Sequence, residues 1–253
     1  MTRSPASKRP HVFAGAVALA LAILSGACSS PAPSASTATP QATTTPEPTE
    51  ADTAAIIAAF LELVGDPGLT MHVVADGTVT AFGGGQEQEV ILQMAMDVSG
   101  EDGVGEATLD TGPSNVTFEM LILDGRAYVE DNGNWTRLPD YEQTTPLNPF
   151  VTLTRPEDVE YVAAEERDGE SVHRLTTDLW IGADLSVMED AGWRSVELGA
   201  TETVIVVDDA GAPISMDFTG SMSGTFQRTP ASVEFDVSYE FSDVGDPVNI
   251  PEP

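Results

Sequence analysis

Few residues in this chain have the types and spacing that catalysis requires. Beyond the amino-terminal segment there are two histidines, His72 and His173, and each alternates onto the mixed face of a predicted strand without an indicated partner. Both are therefore expected at the solvated surface. Carboxylate pairs such as Asp208-Asp209 and Glu165-Glu166 fall at or beside turns, where solvated charge is the simplest interpretation. The sequence shows no Gly-x-Ser-x-Gly elbow, phosphate loop, dinucleotide fingerprint or zinc spacing. It predicts no catalytic residue, no metal site and no cofactor, and a hydrolase would need Ser, His and Asp residues clustered by the fold.

The residue with the clearest chemical meaning is Cys28, the only cysteine among 253 residues. It follows a basic start, an apolar run from Val12 to Leu24 and a small-residue end, which is the order of a secretory signal peptide. The apolar run is too short to span a membrane core. The end of this segment, LSGAC, resembles the bacterial lipobox, in which cleavage precedes a cysteine that becomes acylated, although Ser25 stands where leucine is usual. The alternative is an ordinary cut near Ala27 that leaves a free thiol.

The charge of the chain excludes several classes of partner. Of its 10 basic residues, three lie in the signal segment, so the mature chain has seven arginines against 41 acidic residues, a formal charge of −34. Such a surface repels nucleic acid phosphates and anionic lipid headgroups. We therefore expect no nucleic acid partner, and attachment to a membrane would have to come from the lipid on Cys28. Solubility or a saline habitat is the simplest reason for the acid excess.

Composition divides the chain into three parts. Residues 1–27 form the predicted signal peptide. Residues 28–50 contain the acylated cysteine and a stretch of Pro, Thr, Ser and Ala that cannot bury a core and is expected to be a disordered tether. Residues 51–253 are predicted to form one folded domain standing off the membrane.

The folded part is predicted to begin with a helix from Ala54 to Val64. Asp52 or Thr53 can cap its start, and Gly65 with Pro67 ends it. The helix is apolar over most of its girth, so we expect a sheet to cover it.

Long segments with a period of two follow this helix. In Glu89 to Val98, for example, apolar side chains alternate with polar ones, as in a half-buried strand. Asp124-Gly125, Asn132-Gly133 and Asp168-Gly169 are hairpin signals, and a bend is expected near Gly199. The predicted fold class is α+β and mostly β: a curved antiparallel half-barrel sheet of about ten strands, with a few short helices covering its concave face. A β-sandwich is the alternative.

Three segments of the folded part carry a family resemblance: the closing YEFSDVGDPVNIPEP (Tyr239 to Pro253), the hairpin Asp124-Gly125-Arg126-Ala127-Tyr128 leading to Trp135, and Leu147-Asn148-Pro149-Phe150 at the first insertion. They resemble the actinobacterial LppX/LprG lipoprotein family, which is LolA-like. Their order along the chain, after a lipobox and a Pro/Thr tether, carries the resemblance. It implies a half-barrel whose hydrophobic cavity takes acyl chains of envelope lipids or lipoglycans. With only seven arginines, this chain is poorly suited to a phosphoinositide-type cargo.

Methionines are the most suggestive inward residues. Six of the eight fall on apolar strand faces, and methionine suits a surface that accepts varied apolar shapes. Plain core filling is the alternative. Together with the resemblance, the pattern predicts a cavity lined by Val90, Leu92, Met94, Met96, Phe118, Met120, Ile122, Met216, Phe218, Met222, Phe235 and Val237.

Two insertions interrupt the strands and are predicted to form short helices. One begins at Asn148-Pro149, and the other runs from Ala183 to Asp190. If they cover the cavity they would act as gates that part to load and unload cargo. The candidate gate residues are Leu147, Phe150, Leu153, Leu185 and Met188.

These observations predict a non-enzymatic, exported lipoprotein, lipid-anchored to the outer face of the cell membrane. It would bind the acyl chains of a lipid or lipoglycan and carry it across the envelope, with an envelope transporter as a possible partner. The alternative is a tethered interaction or sensor module of the same fold that docks an envelope protein. An interior cavity would favour the carrier, and a packed interior with an exposed apolar patch would favour the sensor.

Overall fold

The structure is a computed structural model that describes residues 49–131, 133–142, 147–179, 193–226 and 228–253. Within these ranges the chain forms one α-helix, one 3₁₀ helix and eleven strands in a single antiparallel sheet. Cys28, most of the tether, the predicted helix from Ala183 to Asp190 and, with it, Leu185 and Met188 lie outside the described residues. The elements are α1 (Glu50–Val64), β1 (Thr70–Gly83), β2 (Gln86–Ser99), β3 (Asp102–Asp110), β4 (Asn115–Leu123), β5 (Arg126–Asp131), β6 (Asn134–Glu142), the 3₁₀ helix (Pro156–Asp158), β7 (Glu160–Arg167), β8 (Glu170–Thr177), β9 (Trp193–Asp208), β10 (Pro213–Phe226) and β11 (Thr229–Ser242).

The eleven strands form an open sheet with two edges. It runs β6-β5-β4-β3-β2-β1-β11-β10-β9-β8-β7, so the first and last strands of the chain pair at its middle. Strands β6 and β7 are consecutive in the chain but occupy the two outer edges. The predicted mostly β half-barrel is confirmed, with eleven strands rather than about ten. The alternative β-sandwich is wrong, because these strands form one sheet and not two.

Two of the predicted hairpin turns have the backbone that their sequences favour. Asp124 and Gly125 have φ of 52° and 70°, and Asp168 and Gly169 have φ of 56° and 88°. Two successive positive φ values are what a two-residue type I′ turn requires, and its twist matches that of the flanking strands. At the bend predicted near Gly199, the pairing of β9 with β10 shifts register between Leu198 and Thr201, and an irregularity of this kind bends a strand locally.

Helix α1 begins earlier than predicted. Its N-cap is Thr49, and the predicted caps Asp52 and Thr53 lie inside the helix. Thr49 Oγ1 accepts from the Asp52 amide at 3.3 Å, and Asp52 Oδ2 accepts from the Thr49 amide at 3.0 Å. This reciprocal capping box satisfies two amides of the first turn. The hydrogen bond from the Thr49 hydroxyl also holds the pKa of Asp52 below its usual value. Gly65 ends the helix as predicted.

The helix predicted to begin at Asn148 is a series of turns instead. Asn148 Oδ1 accepts from the Phe150 amide at 2.9 Å, and the Leu153 amide donates to the Phe150 carbonyl at 2.8 Å. The Asn148 side chain thus bonds the backbone two residues on, which competes with helix formation. The regular helix in this region is only the 3₁₀ turn Pro156–Asp158. We refer to residues Leu147 to Leu153 as the covering segment.

Candidate functional site

The predicted cavity residues lie together on one face of the sheet. The covering segment packs against this face, and we call it the covered face. Register shows this directly: Leu92 and Val237 both pair with Gly77, and Phe218 pairs with Val237. Ten of the twelve are buried, and Val90 and Phe118 are partly buried. The structure therefore brings these side chains onto one continuous apolar face, and their role as a cavity lining stays a prediction. The ten buried members are Leu92, Met94, Met96, Met120, Ile122, Met216, Phe218, Met222, Phe235 and Val237.

Six methionines are concentrated on this face, as the alternation predicts. Each is at most 7% exposed, and Met94 and Met216 sit in one row, because Met94 pairs with Ala75, Ala75 with Tyr239, and Tyr239 with Met216. A methionine side chain has three torsions and adapts to irregular spaces. The face is thus apolar and deformable at several points. The six are Met71, Met94, Met96, Met120, Met216 and Met222.

Positions without side chains make room for these methionines on β3. A Cβ atom added to Gly103 would lie 2.7 Å from Leu147 Cδ1 and 3.0 Å from Met96 Cε. The side chains of Met96 and Leu147 therefore fill the space above Gly103. Both are flexible, and the sheet beneath them has only backbone there.

The covering segment holds one end of this face through an aromatic cluster. Phe150 is fully buried, with its ring centroid 5.4 Å from that of Phe60 on α1 and 5.1 Å from that of Phe241 on β11. The Asn148 side-chain amide donates to the Val64 carbonyl at 2.8 Å, which satisfies an acceptor at the carboxyl end of α1. Of the predicted gate residues, Leu147 is partly buried and Phe150 and Leu153 are buried. Their gating role stays a prediction.

Sequence reasoning missed the partners of Phe150. Phe241 alternates on the same face as Phe235, so its burial was indicated, but its contact with Phe150 joins residues 91 positions apart. Phe60 lies in the predicted apolar helix, whose pattern indicated a covering sheet but no particular partner. No local signal identifies such long-range contacts.

Helix α1 is held against the sheet by close backbone approach at one hairpin turn. Gly211, in the turn between β9 and β10, has φ of 84°, and an added Cβ would lie 2.6 Å from the Phe60 backbone nitrogen. Only glycine tolerates both this conformation and this proximity. The turn and the helix therefore pack as one unit at the end of the sheet where β1 begins.

His173 is buried, so the expectation of a solvated side chain is wrong. It is 9% exposed; Tyr161 Oη lies 3.0 Å from its Nδ1, and Asp209 Oδ1 lies 2.9 Å from its Nε2. In the tautomer protonated at Nε2, the ring donates to Asp209 and accepts from the Tyr161 hydroxyl. Burial raises the pKa of Tyr161. These bonds tie β7, β8 and the turn after β9 together, and their partners are 12 and 36 residues distant in sequence.

His72 has a different setting, on the outer face of the sheet. Its Nδ1 lies 2.7 Å from Asp97 Oδ1 across the β1–β2 pair, and both side chains remain partly exposed. The expected surface position is confirmed. An exposed pair of this kind contributes little to stability.

The described residues contain no group of three or more His, Cys, Asp or Glu side chains placed to hold a metal ion. No helix in the same ranges is long and apolar enough to cross a membrane.

Comparison with known proteins gives similarity at the level of structure. No known sequence family matches the chain, and no curated protein matches it significantly. Solved structures similar to it include LprF from Mycobacterium bovis, at 14% identity and a TM-score of 0.45, covering 82% of this chain and 99% of that chain. LppX from Mycobacterium tuberculosis is 15% identical with a TM-score of 0.35, covering 80% and 100%. A LolA superfamily protein from Nitrosomonas europaea is 13% identical with a TM-score of 0.28, covering 78% and 93%. The similar structures thus include members of the LppX/LprG family that the sequence resembles, and the likeness concerns the fold.

Proposed function

We propose that this protein binds the acyl chains of a lipid or lipoglycan between the covered face of its sheet and the covering segment, and carries the lipid across the cell envelope. The observation that supports this most directly is the packing of Met96 and Leu147 over Gly103. Two flexible apolar side chains fill a place where the sheet has no side chain of its own. An acyl chain can take that place without moving a strand.

The free energy of burying acyl chains can offset the cost of displacing the covering segment. Moving Leu147 and Phe150 out of contact costs about 5–10 kcal/mol by analogy with core truncations of these residue types. Each methylene that leaves water contributes about 0.8 kcal/mol, so an acyl chain with about 14 methylenes contributes roughly 11 kcal/mol. One long chain therefore roughly offsets the opening, and two chains exceed it. An amphiphile with several chains should bind, whereas a single short chain should not.

The amino-terminal part of the proposal concerns location. Acylation at Cys28 would anchor the mature protein to the outer face of the cell membrane, and residues 28–50 would act as a tether for the domain that follows. The formal charge of −34 opposes attachment to anionic headgroups, so the anchor would supply the membrane affinity. Transfer of cargo would then involve a partner in the envelope, such as a transporter.

Native mass spectrometry of the protein purified from its own host tests this function. The expected result is an additional mass that solvent extraction releases as lipid. Leu147→Asp, which places a carboxylate over the apolar face, should lower the retained lipid. Val151→Asp is the matched control, because Val151 lies in the same segment and its side chain is 42% exposed.

One outcome would refute the carrier. If the protein has a bare mass, unchanged after incubation with a host lipid extract, it does not bind acyl chains. The tethered interaction or sensor module would then be the better account.

A further inference from the structure

One polar side chain lies fully buried on the covered face without a hydrogen-bond partner. Thr203 on β9 is 0% exposed, and within the described residues its hydroxyl is the one buried side-chain oxygen or nitrogen that lacks a partner. It lies on the covered face because it pairs directly with Phe218, one of the predicted cavity residues. A buried polar group is almost always hydrogen-bonded, so this hydroxyl requires an explanation.

The neighbouring threonines differ from Thr203, because each has a partner. Thr177 lies directly opposite on β8 and is also buried, but its Oγ1 accepts from the Leu179 amide at 3.1 Å. Thr201 Oγ1 donates to the Asp178 carbonyl at 2.7 Å. A valine at position 203 would have nearly the same shape as the threonine. The hydroxyl therefore adds no bond to the fold, and its burial costs the desolvation of a polar group.

The row of residues that begins at Thr203 is otherwise apolar. Strand register places Phe218, Val237, Gly77 and Leu92 beside it in that order, on β10, β11, β1 and β2. Gly77 adds no side chain at the middle of this row. From β9 to β2 the row spans four strand spacings, about 19 Å at about 4.8 Å each, and the acyl chains of one bilayer leaflet span about 15 Å. An acyl chain that starts at Thr203 therefore fits along the row.

An acyl carbonyl is the group of a lipid that matches this arrangement. It is attached directly to the apolar chain, and its oxygen accepts hydrogen bonds, whereas the threonine hydroxyl can donate one. We propose that the Thr203 hydroxyl donates to the carbonyl oxygen of one acyl chain of the cargo, and that it thereby selects acyl lipids over alkyl ethers of the same length. This inference rests on the proposed function and adds the residue that fixes the position of the chain.

The physical basis of the selection is the cost of an unpaired hydroxyl. An ether lipid has a methylene group where the acyl lipid has its carbonyl, so it would leave the Thr203 hydroxyl unsatisfied. Sites that hydrogen-bond a ligand reject analogues that lack the bonding group, because a buried polar group then stays unpaired. We therefore expect the acyl lipid to be retained at least about fivefold more than the ether lipid.

Competition between two lipids that differ only in this linkage tests the inference. The full chain carrying Cys28→Ser, which has no thiol to acylate, is incubated with vesicles that contain equal amounts of dipalmitoyl phosphatidylcholine and its dihexadecyl ether analogue. Native mass spectrometry then measures the ratio of the two lipids retained. Thr203→Val should remove the preference for the ester, and Thr203→Ser, which keeps a hydroxyl, should preserve it. Thr219→Val is the matched control, because Thr219 is exposed on the opposite face of the sheet.

The melting temperature of the lipid-free protein separates cargo binding from a structural role. Thr203→Val should leave Tm unchanged or raise it, because no hydrogen bond within the fold is lost. A lower Tm, or a variant that does not fold, would mean that the hydroxyl bonds to the fold itself and would overturn the inference.

The lipid ratios decide between this inference and the proposed function. Equal retention of ester and ether overturns the role of Thr203 and leaves acyl binding intact. The same conclusion follows if the preference persists in Thr203→Val, or if it is lost equally in Thr203→Ser or Thr219→Val. Retention of neither lipid overturns both.

Discussion

Truncation of Phe150 to alanine is the most informative perturbation of the covering segment. The ring is fully buried between Phe60 and Phe241, so its removal leaves a cavity between α1 and the sheet. Phe→Ala changes in cores cost about 3–5 kcal/mol, and each aromatic pair adds about 0.5–1.5 kcal/mol beyond area burial. Because the core values already include lost ring contacts, the two pairs place Phe150 in the upper part of that range, at about 4–5 kcal/mol. For a domain of about 200 residues this lowers Tm by roughly 8–20 °C.

Urea unfolding followed by tryptophan fluorescence measures this change in the free energy of unfolding. Val151→Ala serves as the control, because its exposed side chain should change stability by no more than about 0.5 kcal/mol. A loss below about 1 kcal/mol for Phe150→Ala would refute the reasoning, since it would mean that the ring does not hold α1 to the sheet.

Three further outcomes follow from single contacts. Asn148→Ala removes the donor to the last helical carbonyl and should cost about 1–3 kcal/mol in urea unfolding; a change below about 0.3 kcal/mol would contradict that bond. The hydrogen bond from Arg155 holds the pKa of Asp158 below its usual value, so its stabilisation is present above the unfolded-state pKa and is lost as pH falls through the folded-state pKa. Asp158→Asn should therefore lower stability at pH 7 and lose this effect in acid, and a deficit independent of pH would contradict the assignment. Gly211→Ala and Gly245→Ala both force alanine to φ of 84°, but of these two an added Cβ clashes with the helix backbone only at Gly211. Gly245→Ala should therefore cost about 1–2 kcal/mol, and Gly211→Ala clearly more. Equal losses of Tm would count against close packing between Gly211 and α1.

The alternation of apolar and polar residues was enough to predict which face of each strand is covered. In β2, for instance, Leu92, Met94 and Met96 are buried while Gln93 on the other face is exposed. This works because successive side chains of a strand point to opposite faces, so a local pattern fixes the outcome. The Asp-Gly turns were also predictable from local sequence, because Asp and Gly tolerate the positive φ that a type I′ turn requires.

The covering segment shows where local reasoning fails. Asn148 followed by Pro149 is a good helix start, yet the Asn148 side chain bonds the Phe150 backbone and the end of α1 instead. The bond to the end of α1 joins residues 84 positions apart, and a short helix has only a small intrinsic preference to set against it. His173 was misplaced in a similar way, because its partners come from another strand and from a distant turn.

The sequence by itself determined the strands, their faces, the methionine-rich surface and the acidity, because each follows from residue type and short-range periodicity. Tertiary structure decided that β1 pairs with β11 and that Phe150 packs against two other rings. These features arise from which distant segments become neighbours. That choice depends on the packing of the whole sheet, so it cannot be predicted from any short stretch of the chain.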